Sequence, residues 1–273
     1  MCSSCNGIGY TGGREQKTST IKIKIPSGVS DGNYMTLSEE GNHSITDNTS
    51  GDLIIYFEEK VHPLFVRENN DVFNYVPNYK AFVHNANLFG AYWCLLSGTN
   101  NNDKELIDKS MSAIEFSIKD QKSDGSWIYG HQSHHQWIDS FHTGYNLEIL
   151  NRINKILNKD KYADVIDLGY QYYLKTFILN DGRVKYFDNS IYPLDVHAYS
   201  QAIITVKMLE PNNIDLLNKI VNSLIEQMYL SNSKRFIYQK GRYLFNKINY
   251  FRWTQAWAYY SLSTYNNFIS EKN

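Results

Sequence analysis

The sequence predicts a small, sandwich-like all-β segment over residues 1–75, followed by an all-α segment over residues 76–273 built as a partial α/α toroid of helical hairpins. Three observations carry this. Of the 40 aromatic residues, 7 lie before Val76 and 33 after it, 9% against 17% of the respective lengths. The formal charge changes from −4 in the first segment to +3 in the second. The hydrophobic period changes from two residues to that of helices at the same place. Two recipes within 273 residues imply two folding units, and the chain is long enough to bury a core in each.

In the first segment, Thr20–Ile25 reads Thr-Ile-Lys-Ile-Lys-Ile, an alternation that predicts a strand with one buried face. Pro26-Ser27-Gly28 stops it, and Ser30-Asp31-Gly32-Asn33 is a turn. A second strand is expected at Tyr34–Leu37 and a third at Leu53–Glu59. The polar residues Glu39–Ser50 between them read as a surface loop.

These residues carry a resemblance. Cys2-Ser3-Ser4-Cys5-Asn6-Gly7-Ile8-Gly9 is similar to the last CxxCxGxG repeat of the DnaJ (Hsp40) zinc region. Ile23–Gly32, Glu40-Gly41-Asn42, Gly51-Asp52-Leu53 and His62-Pro63-Leu64-Phe65-Val66-Arg67 follow in the order of that family's first C-terminal β-domain. The resemblance implies binding of extended, unfolded polypeptide by strand addition, with Ile21, Ile23, Ile25, Leu53 and Ile55 as the peptide-binding residues. It also implies zinc, for which Cys2 and Cys5 are the candidate ligands. A tetrahedral structural site needs four ligands, and this one pair is incomplete, so free thiols are expected and zinc is not. Without a J-domain and its His-Pro-Asp signature, stimulation of an Hsp70 partner is not expected either. Glu39 and Asn69 stand where the family has glycine.

In the second segment, three- and four-residue apolar spacing predicts helices over Asn87–Ser97, Lys104–Lys119, Tyr145–Leu157, Tyr162–Ile178, Tyr199–Leu209, Ile214–Tyr229 and Thr254–Phe268. Polar anchors enter apolar helices at His84, Asp139, Asp195 and Arg252, at intervals of 55, 56 and 57 residues. Aromatic turns precede the last three, at Asp124–Tyr129, Asp181–Tyr186 and Lys234–Tyr238. The repeating unit is helix, helix, short aromatic hairpin, and such units must stack to bury their faces.

Gln121-Lys122-Ser123-Asp124-Gly125-Ser126-Trp127 resembles the Gln-x-x-x-Gly-x-Trp element of α/α-toroid terpene cyclases and the Asp-Gly-Ser-Trp turns of six-hairpin carbohydrate-active proteins. His84–Asn87, Trp137–Leu147 and Arg252–Trp257 resemble bacterial VpsJ-like toroids associated with polysaccharide biosynthesis. Against the six hairpins of a complete toroid, the segment has room for about three and a half, and is expected to be cut on its N-terminal side. The resemblance implies a cleft at the rim where the inner helices begin, holding a carbohydrate or acidic sugar.

Carboxylates and imidazoles suit acid–base chemistry on sugars, which makes Asp139, His142, Asp195 and His197 the candidate catalytic residues. The candidate substrate-binding residues are His84, Asn87, Trp127, Trp137, Tyr145, Tyr186, Arg252, Trp253 and Gln255. In hydrolysis Asp139 and Asp195 would be acid and base. In elimination or epimerisation His142 or Tyr145 would abstract the proton, with Arg252 neutralising a substrate carboxylate. Asp139 and Asp195 also sit where helix N-caps belong, and Trp127 where a hairpin packs on a helix. His131, His134 and His135 have near-metal spacing, but their loop offers no carboxylate or cysteine and reads as solvated.

The overall charge of −1 argues against binding of nucleic acid or an anionic membrane by bulk electrostatics. No apolar run approaches the roughly 18 residues a bilayer span requires. Met1-Cys2-Ser3-Ser4-Cys5 lacks the features of a secretory signal, so a cytoplasmic location is expected. Three cysteines cannot form a disulfide framework.

Overall fold

The computed structural model describes residues 3, 18–26, 29, 32–44, 49–57, 64–67, 70–76, 81–158 and 160–272. The chain divides into two compact units, Met1–Val61 and His62–Asn273.

The first unit holds an antiparallel hairpin of β1 (Tyr34–Leu37) and β2 (Leu53–Tyr56). Met35 faces Ile55 and Leu37 faces Leu53 across it, so one face carries four half-buried apolar side chains. Asp52 Oδ1 accepts the Glu39 N–H at 3.1 Å and holds the loop closed. Glu39 has a φ of 64°, the left-handed region, which is why a glycine suits this position. The strand expected over Thr20–Ile25 is not formed: residues 18–26 carry no strand, and Ile23 and Ile25 are exposed. Alternation yields a strand only where a ladder partner and a covering layer exist, and none lies along this stretch among the described residues.

In the second unit, β3 (Leu64–Arg67) and β4 (Asn70–Phe73) form a hairpin, and β4 packs against α1 (His84–Asn101) and α2 (Lys104–Lys119). This packing places the division ahead of the compositional boundary at Val76. Five more helices follow: α3 (Ser140–Leu157), α4 (Ala163–Phe177), α5 (Val196–Leu209), α6 (Ile214–Met228) and α7 (Ala256–Lys272). Between them lie β5 (Leu194–Asp195), β6 (Tyr229–Leu230), β7 (Arg235–Phe236), β8 (Gln239–Lys240) and β9 (Phe245–Asn246). β5, β8 and β9 form one antiparallel sheet and β6 pairs with β7.

The helices alternate between two layers. α1, α3, α5 and α7 pack on one another in sequence, while α2, α4 and α6 each pack on the helix before them. This is the α/α-toroid arrangement, with odd helices inside and even helices outside. Leu88, Leu147, Tyr173, Tyr199, Ile203 and Leu224 fill the space between the layers and are fully buried. Among the described residues, no helix is long and apolar enough to cross a membrane.

One pairing recurs three times and sets the rim. The first N–H of α1, α3 and α5 donates to the carbonyl of a hairpin tyrosine: His84 to Tyr129 at 3.3 Å, Ser140 to Tyr186 at 2.8 Å and Val196 to Tyr238 at 3.3 Å. The residue before each of these helices bridges the residue after that tyrosine, as Val83 with Gly130, Asp139 with Phe187 and Asp195 with Gln239. The true repeat positions are therefore Val83, Asp139 and Asp195. His84 lies one place later, and Arg252 lies in a π-helical turn, Phe251–Gln255, rather than at a cap.

The hairpin turns share chemistry as well. Asp124 and Asp181 each accept the N–H two residues on, from Ser126 at 3.0 Å and Arg183 at 3.1 Å. Gly125 and Gly182 follow with φ of 93° and 83°. A Cβ there would stand 2.4 Å from the Leu168 carbonyl oxygen and 2.3 Å from that of Lys219, so both turns press on the outer helix behind them.

Candidate functional site

Asp139 and Asp195 are the N-caps of α3 and α5, and each also binds an imidazole. Asp139 Oδ1 accepts the His142 N–H at 2.8 Å, while Oδ2 meets His142 Nδ1 at 2.7 Å and accepts Trp137 Nε1–H at 2.9 Å. Asp195 Oδ1 accepts the His197 N–H at 2.7 Å and meets His197 Nδ1 at 2.8 Å, and its Oδ2 accepts from Gln239 Nε2 at 2.7 Å. Both carboxylates are buried with all their oxygens engaged. Such a contact fixes the proton on Nδ1 and leaves Nε2 as the available nitrogen of each ring. His197 Nε2 is buried and has no hydrogen-bond partner among the described residues.

Rings join the two pairs. Trp137 stacks on Tyr129 with centroids 4.8 Å apart and planes at 12°, and Tyr129 lies 4.4 Å from His142. Phe141 stands between the two pairs, 5.1 Å from His142 and 5.9 Å from His197. His197 is also 4.9 Å from Trp253 and 5.7 Å from Tyr238. Tyr145 stacks on Phe141 at 6.2 Å. Burial, then the charges of Asp139 and Asp195, push the Tyr186 hydroxyl well above its usual range. Trp137 and Trp253 are both exposed to solvent.

The remaining candidates lie elsewhere. Asn87 is fully buried: its Oδ1 accepts the Phe73 N–H at 2.9 Å, and its Nδ2 donates to the Ala113 carbonyl at 2.7 Å and to Ser117 Oγ at 2.9 Å. Trp127 is buried and donates Nε1–H to the Ser117 carbonyl at 2.9 Å. His84 is buried against Ser117 Oγ at 3.2 Å, and burial lowers its pKa to about 3. Gln255 is spent on the backbone of Phe236, accepting its N–H at 3.0 Å and donating to its carbonyl at 2.7 Å. With Arg252, it lines a separate cavity of about 810 Å³ beside Phe236 and Tyr259.

Sequence reasoning passed over Tyr129, Phe141, Tyr238 and Gln239, which complete the rim. It also passed over Glu148 and Arg152, part of a second polar group on the inner helices. Arg152 donates to Glu148 Oε1 at 2.6 Å, and Gln201 Nε2 donates to Glu148 Oε2 at 3.1 Å. Glu148 and Arg152 line a cavity of about 660 Å³ with Tyr92, Ile204 and Tyr260. The signal was present as His142, Tyr145, Glu148 and Arg152 at three- and four-residue spacing along one face of α3.

In the first unit, Leu53 and Ile55 lie on the half-buried face of the hairpin. Its open face instead carries Tyr34, Ile54 and Tyr56, with the two tyrosine rings 5.8 Å apart. Ile21 is half-buried, while Ile23 and Ile25 are exposed on a stretch that forms no strand among the described residues. Cys2 and Cys5 lie outside the described residues.

Residues 6–87 match the family model of the DnaJ C terminal domain. The chaperone protein DnaJ of Chlorobium limicola is 43% identical over 83 residues, covering 30% of this chain and 20% of that protein. Its counterpart in Chlorobium luteolum is 45% identical over 71 residues, covering 26% and 18%. The chain spans about a fifth of the length of these curated relatives. A GH76 α-mannanase from Bacteroides thetaiotaomicron has the same fold over 74% of this chain and 58% of its own, with a TM-score of 0.55 and 10% identity. An unsaturated glucuronyl hydrolase specific for heparin matches over 74% and 64%, with a TM-score of 0.55 and 11% identity. This chain therefore joins a DnaJ-like segment to an α/α-toroid body. At such identities the structural likeness is one of fold, and function rests on the site.

Proposed function

We propose that the helical unit binds carbohydrate at the rim where α3 and α5 begin, in the metabolism of a bacterial polysaccharide. The observation that carries this is the pair of exposed indoles, Trp137 and Trp253, flanking two imidazoles that buried aspartates hold in place. Flat aromatic faces suit the apolar faces of sugar rings, and oriented imidazole nitrogens suit their hydroxyls. The fold likeness to a mannanase and a glucuronyl hydrolase supports the ligand class by analogy.

If the rim is catalytic, the proton-transferring group is His142 Nε2, with Asp139 as the positioning residue. Hydrolysis with Asp139 and Asp195 as acid and base is disfavoured, since both carboxylates are engaged in caps. Mannan oligosaccharides and unsaturated glucuronyl oligosaccharides, incubated with wild type and His142→Gln, test for turnover. Wild-type conversion lost in His142→Gln supports a catalytic rim. Binding without conversion supports a binding site alone.

A second reading has its own observation. The open face of the β1–β2 hairpin, Tyr34, Ile54 and Tyr56, offers exposed apolar surface in the segment that matches the DnaJ domain. We propose that this face, rather than Leu53 and Ile55, would contact an unfolded polypeptide. Suppressed aggregation of a denatured client, weakened by Tyr56→Ser, would support it.

A further inference from the structure

We propose that His84, Asp120 and His131 form a three-ligand site for a divalent metal ion of the zinc class. One ligand atom from each, two imidazole nitrogens and a carboxylate oxygen, lies within 4.8 Å of the others. His84 Nε2 stands 3.7 Å from Asp120 Oδ2, and His131 Nε2 meets the same oxygen. Zinc holds nitrogen and oxygen ligands at about 2.0–2.2 Å, which sets tetrahedral ligand separations near 3.4 Å. Side-chain movements on the order of an ångström in the partly exposed Asp120 and His131 would meet that geometry.

A separate observation points to a bound cation. His84 is buried, and its Nε2, aimed at the carboxylate, has no hydrogen-bond partner among the described residues. Its Nδ1 is occupied by Ser117 Oγ at 3.2 Å, so neither tautomer satisfies Nε2. A metal ion would satisfy it directly.

The backbone holds the trio in advance. His84 is the first residue of α1, Asp120 is the C-cap residue of α2, and the His131 N–H donates to the Phe82 carbonyl at 3.1 Å. Phe82 packs on both imidazoles, with ring centroids at 4.9 and 4.6 Å. Apolar walls of this kind and a hydrogen bond behind a ligand are usual supports of metal sites. Asp120 and His131 remain partly open to solvent, which gives an entry path and a position for a water ligand.

The trio is also absent from the other repeats. The positions equivalent to His84 are Ser140 and Val196, and those equivalent to His131 are Asp188 and Lys240. The scaffold does not require these residue types. The carboxylate missing from the histidine loop in sequence arrives from the end of α2.

The test is cobalt titration of the full chain after chelator treatment, in a Cys2→Ser/Cys5→Ser background that removes the CxxC thiols. One equivalent should bind with the visible bands of a low-coordinate nitrogen and oxygen site. His131→Gln and Asp120→Asn, both at half-exposed positions, should each weaken binding by roughly 100-fold or more, since even supporting residues cost 10–100-fold. His134→Gln should leave it unchanged. The proposal is overturned if the cysteine-free protein binds no cobalt, or if His131→Gln and Asp120→Asn bind it as tightly as their parent.

Discussion

Asp139 grips His142 at two points, taking its backbone N–H at 2.8 Å with one oxygen and meeting its Nδ1 at 2.7 Å with the other. The cap that starts α3 is thereby the device that orients the ring. Asp195 and His197 form the matching pair 56 residues later, at the start of the next inner helix, where one oxygen, Oδ1, makes both contacts.

Substitutions at Asp139 should separate capping from orientation. Asp139→Ala removes the cap acceptor and leaves the buried Trp137 and His142 donors unmatched, a loss of about 2–4 kcal/mol. Asp139→Asn keeps an N-cap acceptor and should cost less than half as much. Urea unfolding of both variants measures this, and equal losses would mean that the cap acceptor, which Asn retains, contributes nothing measurable.

The turns give an opposed pair of stability effects. Gly125→Ala and Gly182→Ala should each destabilise the helical unit by about 2 kcal/mol or more, because left-handed backbone and contact with an outer-helix carbonyl act together. Lys234 occupies the matching turn position with a φ of 48°, so Lys234→Gly should stabilise by roughly 0.5–1 kcal/mol. Thermal unfolding of the three variants reads both signs.

Acid should weaken the first turn. The backbone N–H of Ser126 holds the Asp124 carboxyl below the usual carboxylate range. Its folded pKa is depressed, so its contribution is present above the unfolded pKa, about 4, and fades as pH falls through the folded value. The side chain is largely in solvent, which limits the effect to a few tenths of a kcal/mol. The gap in urea midpoint between wild type and Asp124→Asn should be present at neutral pH and narrow as the pH falls through the folded carboxyl's range; a gap that widens in acid would contradict the sign.

The helices were legible because their signals are local. Apolar spacing located all seven, and Asp103, Asp139, Asp195 and Asn213 cap the helices that follow them. The repeat of anchors and aromatic turns exposed the rim, since equivalent residues recur at nearly constant intervals. Thr20–Ile25 shows the limit of pattern: its alternation is perfect, yet a strand needs a neighbour that spacing does not reveal. Asn87 and Trp127 carry surface-capable chemistry, but the phase of α1 turns Asn87, and the packing of the hairpin turn Trp127, inward onto Ser117. The His84 and Asp120 juxtaposition was hidden for a different reason. Only the packing of α1 on α2 brings together residues that far apart in sequence.

The central claim is that the Asp139 and Asp195 rim recognises carbohydrate. A glycan array probed with wild type, Asp139→Asn and Asp195→Asn at equal folded concentration tests it most directly. A discrete set of oligosaccharides should be retained by wild type and lost, or weakened at least tenfold, in both variants. No retained glycan, or retention that both variants share undiminished, would contradict it.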